Sequence, residues 1–283
     1  MNADTFGNPG RKVTSAIAAS PHAAWLDRAR IKPTNRILGA LPPEALARLL
    51  PRLRPEFLPR GRVLCEADQP LRHVYFVERG LVSMVAVFAN RTTAEMATVG
   101  REGLVGIGSV LGGEHALARY VVPVPALALI IESGEFRSAL CDSPELRAAC
   151  NAYAQAFLGE ALQTVACNSV HMVEERCARW LLMSRERGDG DTIAVTQGYL
   201  AAMLGVCRST VTLAAGALQR AGLIRYRRGA ISVLNRRGLE AASCECYRVI
   251  RDQYARLLPR CAEPQPSLRR LSLVEHYLPQ SVG

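Results

Sequence analysis

The stretch from Thr192 to Leu239 has the residue types and spacing to bind an anionic polymer. It contains seven arginines and not one aspartate or glutamate. A solvated protein surface usually mixes both signs of charge, so an arginine-rich stretch without acids is typical of a surface that contacts phosphates. The seven residues are Arg208, Arg220, Arg225, Arg227, Arg228, Arg236 and Arg237.

The apolar spacing within this stretch predicts two short helices joined by a sharp turn. Thr196 is a suitable N-cap for a helix over 197–204. Gly205 supplies the turn, and a second helix follows over 208–220. The predicted inward residues are Leu200, Met203 and Leu204 in the first helix, and Val211, Ala214, Ala215 and Leu218 in the second.

A β-hairpin is predicted directly after the second helix. Residues 225–234 suit two short strands, and Gly229 lies where the turn between them must fall. A hairpin in this position is the wing of a winged helix.

The helix after Gly205 can enter a DNA major groove with its N-terminal residues facing the base edges. Arg208 suits forked hydrogen bonds to guanine, and Ser209 suits several bases. Backbone N–H groups at a helix N-terminus, here near Thr196 and Gln197, bind phosphate. The candidate DNA contacts are Thr196, Gln197, Arg208, Ser209, Thr210 and Thr212 on the helices, and Arg225, Arg227 and Arg228 on the wing. Each is also compatible with an ordinary solvated surface residue.

Composition agrees with a nucleic-acid partner. The chain has 283 residues, 49% of them hydrophobic, and a formal net charge of +10. This length suggests about two domains, and the basic balance favours nucleic acid or an anionic membrane surface. No run reaches the roughly 18 apolar residues that a membrane span needs, and no apolar signal core follows the N-terminus. We therefore expect a cytoplasmic protein with no membrane partner.

The remaining patterns predict an α+β chain. We expect a disordered tail over 1–40, an antiparallel, jelly-roll-like β-roll over 41–142, and a long dimerisation helix over 143–169. A winged helix-turn-helix over 170–243 and a C-terminal extension over 244–283 complete the chain. In the β-roll, short apolar runs punctuated by glycine, proline and asparagine predict strands that include 74–77, 81–88, 120–122 and 126–131.

The long helix has one apolar stripe, with Ser143 as its N-cap. A second copy of the same helix would cover the stripe, so we predict a homodimer seam. The alternative is that the stripe packs on the chain's own β-roll. The seam residues are Leu146, Cys150, Tyr153, Phe157, Ala161 and Val165.

These motifs resemble the Crp/Fnr transcription regulators over residues 41–243. Residues 200–211 and 218–224 are similar to the family's helix-turn-helix. Gly61, residues 73–77 and Gly80 are similar to its cyclic-nucleotide-binding-type β-roll. The resemblance implies a homodimer on a palindromic operator, RNA polymerase as a partner, and an effector or redox signal that alters DNA affinity.

Two departures limit what the resemblance implies. The family's recognition helix often reads Arg-Glu-Thr-Val-x-Arg, but residues 208–213 here read Arg-Ser-Thr-Val-Thr-Leu, so the usual operator does not transfer. The family's nucleotide pocket has Gly-Glu-Leu and Arg-Ser or Arg-Thr, whereas this chain offers Gly106, Gly108, Arg119 and Tyr120. Without the carboxylate, the ribose lacks its acceptor, and the glycines also suit simple turns.

We expect no metal or cofactor from the sequence. No cysteine precedes Cys65, so the iron–sulfur cluster of the oxygen-sensing branch has no ligands at the N-terminus. Cys65 and His73 suit packing better than haem ligation. Cys244 and Cys246 form a close pair, but two ligands do not make a metal site, so core cysteines are the expected interpretation.

Two other functional classes compete with this interpretation. An enzyme requires a catalytic, metal or phosphate-loop constellation, and the sequence contains none. A ligand-binding signalling module whose basic C-terminal region engages a protein or membrane partner is the alternative to a DNA-binding regulator. The arginine stretch with its helices and hairpin favours the regulator.

Overall fold

The computed structural model describes residues 33–89, 93–188 and 190–258. The N-terminal half folds as an antiparallel β-roll with short helices at its margins. Its elements are α1 (Arg36–Gly39), α2 (Pro43–Leu49), β1 (Arg54–Leu58), β2 (Val63–Cys65), β3 (His73–Val87), β4 (Thr93–Val99), β5 (Leu104–Val105), α3 (Ile107–Val110), β6 (Arg119–Glu132) and α4 (Ser133–Asp142).

The C-terminal half is helical apart from a small three-stranded sheet. Its elements are α5 (Pro144–Val170), α6 (Val173–Arg187), β7 (Thr192–Ile193), α7 (Gln197–Leu204), α8 (Arg208–Arg220), β8 (Ile224–Arg227), β9 (Ala230–Val233), α9 (Arg236–Ala241) and α10 (Cys246–Leu257). This order confirms the predicted α+β class, with a β-roll, a long helix and a winged helix-turn-helix.

Two long strands organise the β-roll. β3 and β6 pair antiparallel along most of their length, and the strand order is β1-β6-β3-β4 with β2 on β6 and β5 on β3. The interior is filled by large apolar side chains, including Phe76, Leu104, Ile130 and Phe136, all at most 1% exposed. Burying these side chains is the main stabilising contribution of this half.

Gly80 bends a strand that the sequence had suggested to be two. The predicted runs 74–77 and 81–88 are one strand, with register shifts against β6 on either side of residue 79. Gly80 has φ +80°, and a Cβ there would overlap the carbonyl oxygen of Pro125. Likewise, 120–122 and 126–131 both lie within β6. Glycine and proline therefore mark bulges here rather than strand ends.

The predicted disordered tail is wrong for its last residues. Ile37 and Leu38 of α1 are completely buried. The Asn35 side chain accepts hydrogen bonds from the backbone N–H of both residues and donates to the carbonyls of Val77 and Gly103. A single turn of helix is stable here because it packs on the β-roll. Residues 1–32 lie outside the described part of the chain.

The apolar stripe of α5 is divided between two environments. Ser143 caps the helix as predicted, accepting from the backbone N–H of Leu146 at 3.2 Å. Leu146, Cys150 and Tyr153 are at most 1% exposed, packed inside their own chain. The prediction that these three residues form a dimer seam is therefore wrong, because the β-roll already covers them.

Further along α5 the apolar residues reach solvent. Phe157 and Ala161 are half-buried. Leu158, Leu162 and Val165 are 59%, 64% and 68% exposed and follow one another at helical spacing. The exposed apolar face of the helix thus lies in its C-terminal half.

A buried charge network joins the β-roll to the helical half. Arg187, at the end of α6, donates to Glu102 at 2.9 Å, to Glu160 of α5 at 2.6 Å, and to the Thr98 hydroxyl. The Tyr254 hydroxyl of α10 donates to Glu160 at 2.8 Å. Buried charges persist only when they are paired and hydrogen-bonded, so this network fixes how four elements meet.

A second polar contact lies at the same boundary. Glu95 of β4 accepts hydrogen bonds from Ser83 at 2.5 Å and from the Trp180 indole of α6 at 3.1 Å. The Tyr199 hydroxyl of α7 lies 3.5 Å from the same carboxylate. Desolvation raises the pKa of Glu95 to about 7, against the hydrogen bonds that lower it.

Among the described helices, no single one is long and apolar enough to cross a membrane. Of the helices in the described ranges, α7 and α8 are the only pair whose combined length and composition would suit a membrane span, and they are bent by 103° at the turn between them.

Replacing Arg187 by methionine should strongly destabilise the fold, because two carboxylates would remain buried without their cation. We expect a loss of about 3–5 kcal/mol in the free energy of unfolding, measured by urea denaturation. Arg185→Met is the matched control, since Arg185 pairs with Asp191, whose side chain is 60% exposed. Such pairs contribute about 0–1 kcal/mol. If the two variants lost equal free energy of unfolding, the buried network would not contribute more to stability than an exposed ion pair.

Glu95→Gln should change how stability depends on pH. The folded-state pKa of Glu95 is raised from an ordinary value of 4.5 to about 7, so folding favours its protonated form. Relative to the glutamine variant, the wild type should therefore lose stability as pH rises from about 4.5 to about 7, by at most about 3 kcal/mol. Urea denaturation at several pH values measures this difference. A difference independent of pH would show that Glu95 titrates normally.

Candidate nucleic-acid interface

The helix-turn-helix forms as its local sequence dictates. The Thr196 hydroxyl accepts a hydrogen bond from the backbone N–H of Tyr199 at 3.2 Å and so caps α7. Gly205 ends α7 with φ +64°, a left-handed conformation that glycine adopts without strain. α8 then begins at Arg208, and every predicted inward residue of the two helices is buried: Leu200, Met203, Leu204, Val211, Ala214, Ala215 and Leu218.

The first turn of α8 presents a polar, cationic edge to solvent. Arg208, Ser209 and Thr212 are exposed, whereas Thr210 is half-buried. The Thr212 hydroxyl donates to the Gln197 side chain at 3.2 Å and to the Arg208 carbonyl at 3.0 Å. This contact brings the N-termini of α7 and α8 to one face, where the predicted base and phosphate contacts lie together.

The wing forms beside this face. β8 and β9 are antiparallel neighbours, β7 pairs with the other edge of β9, and Arg227 lies opposite Ala230. Arg228 and Gly229 both have positive φ, 46° and 78°, which is the two-residue turn that matches strand twist. Ile231 and Val233 are buried beneath the sheet.

The arginines fall into two groups. Within the described part of the chain, no carboxylate lies within ion-pair distance of Arg208, Arg225, Arg227 or Arg228, and all four are exposed. Arg236 is different, because it pairs with Glu186 at 3.0 Å and Glu240 at 2.7 Å. The first group keeps its positive charge available for an anionic ligand, whereas Arg236 stabilises the domain.

Two residues at the interface escaped the sequence-based prediction. Leu213 is 70% exposed on α8 and offers an apolar contact such as a thymine methyl group accepts. Cys207 is an exposed thiol just before α8, 3.0 Å from the hydroxyls of both Ser209 and Thr210. These hydrogen bonds lower the pKa of Cys207 to about 7. The available signal was a cysteine at an N-cap position with serine and threonine two and three residues later, in Cys207-Arg208-Ser209-Thr210.

The proposed effector residues do not assemble into an open pocket. Gly106 has φ +105°, and a Cβ there would crowd Leu71, so the turn interpretation accounts for this glycine. Gly108 is buried in α3. Tyr120 is 1% exposed and lies in the core, where desolvation raises its pKa to about 12. Tyr120 is therefore not accessible to a ligand, which corrects its assignment.

Arg119 has a protein partner. Its Nε and a terminal nitrogen each donate to Glu66 at 2.7 Å, a forked ion pair near the surface. This pair lowers the pKa of Glu66. A phosphate bound at Arg119 would first have to displace a carboxylate.

Two family profiles match the chain, each over one of the two halves just described. The cyclic nucleotide-binding domain matches residues 55–142, which span β1 to α4. The Crp-like helix-turn-helix domain matches residues 175–242, which span most of α6 to α9. No curated protein matches the chain in sequence.

Solved structures share the whole two-domain arrangement. FixK2 from Bradyrhizobium japonicum is 17% identical, with a TM-score of 0.59 over 68% of this chain and 98% of that one. TTHB099, a CRP-family transcriptional regulator from Thermus thermophilus, is 18% identical, with a TM-score of 0.57 over 66% of this chain and 96% of that one. At such identities the likeness concerns the fold.

The two profile matches fall in the order in which a β-roll and a winged helix-turn-helix occur here. Proteins with this combination are transcription regulators, which are not enzymes. The chain therefore belongs to the Crp/Fnr family of transcription regulators, with a cyclic nucleotide-binding-type domain joined to a Crp-like DNA-binding domain.

Proposed function

We propose that the chain reads a palindromic DNA operator as a homodimer, and that a signal received in the β-roll changes its DNA affinity. The observation that carries this proposal is the set of four exposed arginines, at or beside the first turn of α8, that have no carboxylate partner among the described residues. Placed in a major groove, that turn meets base edges while the wing meets the sugar–phosphate backbone.

Each side chain of the interface has a distinct role in the proposal. Arg208 forks onto a guanine, and Ser209 bonds a neighbouring base. Leu213 contacts a thymine methyl group, in place of the arginine common in the family. Thr196 and Gln197 hold a phosphate at the N-terminus of α7. Because no carboxylate lies among these readers, cytosine N4 donors find no acidic partner, and the operator differs from the family's usual one.

The homodimer is supported by the exposed face of α5. Leu158, Leu162 and Val165 form an apolar stripe that no described residue of the same chain covers. A twofold contact between two copies of this stripe would remove it from water, and in the proposed dimer the two copies of α8 lie on the same side. Two half-sites about 34 Å apart along the duplex would then be read together.

The signal has a direct physical route in this proposal. β4 and the turn after it provide Glu95, Thr98 and Glu102, and all three contact α6. A shift of β4 therefore acts on the DNA-binding domain. Because Arg119 is paired with Glu66 and Tyr120 is buried, we propose an effector other than a conventionally bound cyclic nucleotide. RNA polymerase as a partner and a cytoplasmic location also belong to the proposal.

Replacing Arg208 by alanine should cost specific DNA binding about 1–3 kcal/mol and relax one base position. The operator is first selected from a random DNA library with the purified full-length protein. Gel shifts on operator and random DNA then compare the variants. Arg227→Ala is the matched control. It should weaken binding to both DNAs about equally, and it should reduce the slope of log affinity against log salt concentration by about one phosphate contact.

Two results would contradict these assignments. Equal losses on operator and random DNA for Arg208→Ala would remove Arg208 from the base-reading set. A library from which no sequence is enriched, with binding insensitive to salt, would reject DNA recognition and favour a protein partner for the basic region.

Leu162→Asp should convert the dimer to a monomer. Each protomer would contribute one carboxylate, and both would be buried in an apolar contact. Analytical ultracentrifugation of the full chain measures the change, and operator affinity should fall with it. Leu111→Asp is the control, since Leu111 is 69% exposed and is not part of the apolar stripe on α5. If Leu162→Asp remained as dimeric as the control, the stripe on α5 would not be the seam.

A further inference from the structure

Four potential metal ligands converge where α5 meets α10. Cys167 lies in the last turn of α5, and His171 follows the end of that helix. Cys244 and Cys246 lie at the start of α10. The ligand atoms of these four residues all lie within 4.8 Å of one another. The three cysteines are at most 3% exposed.

The spacing fits one tetrahedral ion. With Zn–S bonds of about 2.3 Å, tetrahedral geometry places two ligand sulfurs about 3.8 Å apart. The Sγ atoms of Cys167 and Cys244 are 3.5 Å apart, and Cys246 Sγ lies 3.6 Å from His171 Nδ1. Three sulfurs and one imidazole nitrogen are a common ligand set of structural zinc sites. A multi-iron cluster would need to separate its ligands further.

The surroundings orient these ligands independently. His171 Nε2 lies 3.1 Å from the Glu245 carboxylate, so its Nδ1 is the nitrogen directed at the sulfurs. The Gln163 amide donates to Cys246 Sγ at 3.1 Å. A carboxylate on the far nitrogen of a histidine and a hydrogen bond to a sulfur are the usual outer-shell partners of zinc ligands.

Buried positive charge balances the site. Arg176 and Arg179 of α6 are 8% and 6% exposed, and the Nε of each has no hydrogen-bond partner within the described part of the chain. Three thiolates and a dication carry one net negative charge, which the two positive charges of these guanidinium groups more than offset.

We propose that Cys167, His171, Cys244 and Cys246 bind a structural Zn²⁺ ion. The site joins the end of α5, the link into the DNA-binding domain, and α10. Binding releases the thiol protons and requires a neutral imidazole at His171. The sequence did not reveal this site, because only Cys244 and Cys246 are close together along the chain. Cys167 and His171 lie more than 70 residues earlier.

Metal analysis of the reduced, full-length protein tests the proposal without any DNA, so its outcome is independent of the DNA-binding proposal. The protein is loaded with Zn²⁺, and unbound metal is removed by gel filtration. We then expect one zinc ion per chain, measured by inductively coupled plasma mass spectrometry. Cys167→Ser and Cys246→Ser should lose it. Cys141→Ser is the control, because Cys141 is an exposed thiol outside the cluster and should retain zinc.

Two measurements keep the test decisive if the serine variants fail to fold. Co²⁺ loaded into the wild type should give the visible absorption of a tetrahedral, thiolate-bound ion. Glu245→Gln, at a side chain that is 62% exposed, should fold normally and lower zinc affinity about 10- to 100-fold in a chelator competition.

Three results would overturn the proposal. The first is reduced wild type that retains no zinc after loading. The second is zinc content that is the same in Cys167→Ser as in wild type. The third is a Cys167–Cys244 disulfide, detected by mass spectrometry, that persists in mild reductant and prevents the protein from binding zinc.

Discussion

The arrangement of this protein depends on the ion pairs of one buried guanidinium. Arg187 leaves the last turn of α6 and meets Glu102 from the β-roll and Glu160 from α5. All three are at most 5% exposed, so the charges face one another in a poorly solvated interior. Separating these charges would leave each of them buried without a partner, which costs free energy. The relative position of the β-roll and the DNA-binding domain is therefore stabilised by electrostatics.

This constraint gives the two halves a mechanical connection. Tyr254 of α10 extends the network through Glu160, and Arg36 donates to the carbonyls of Tyr254 and Leu258. The end of α10 is thereby tied both to α5 and to α1. The strand and helix ends that carry these groups therefore share one hydrogen-bonded network between the β-roll and the helical half.

Packing constrains the scaffold of the helix-turn-helix more than its DNA-facing surface. The cap of α7, the turn at Gly205 and the inner face of α8 are fixed by hydrogen bonding and burial. Ser209 and Leu213 are exposed, so packing inside the domain does not fix their identity. Packing restricts the residues on the inner face of a recognition helix, whereas the residues on its outer face are restricted only by the DNA sequence that they contact. One scaffold therefore supports different operators.

The sequence by itself determined the elements whose signals are local. The cap at Thr196, the glycine turn, the apolar period of α8 and the wing hairpin with Gly229 in its turn each depend on residues a few positions apart, and all four formed as expected. Tertiary structure decided which surface covers each apolar face. It buried Leu146 under the β-roll and left Leu162 in solvent, although both belong to one helix.

Tertiary structure also decided which distant groups meet. Cys167 meets Cys244, Arg187 meets Glu102, and Arg119 meets Glu66, each pair separated by more than 50 residues. Periodicity shows which side of a helix or strand is apolar, but it contains no information about the neighbour on that side. Long-range contacts follow from how the elements pack to bury their apolar faces and pair their charges.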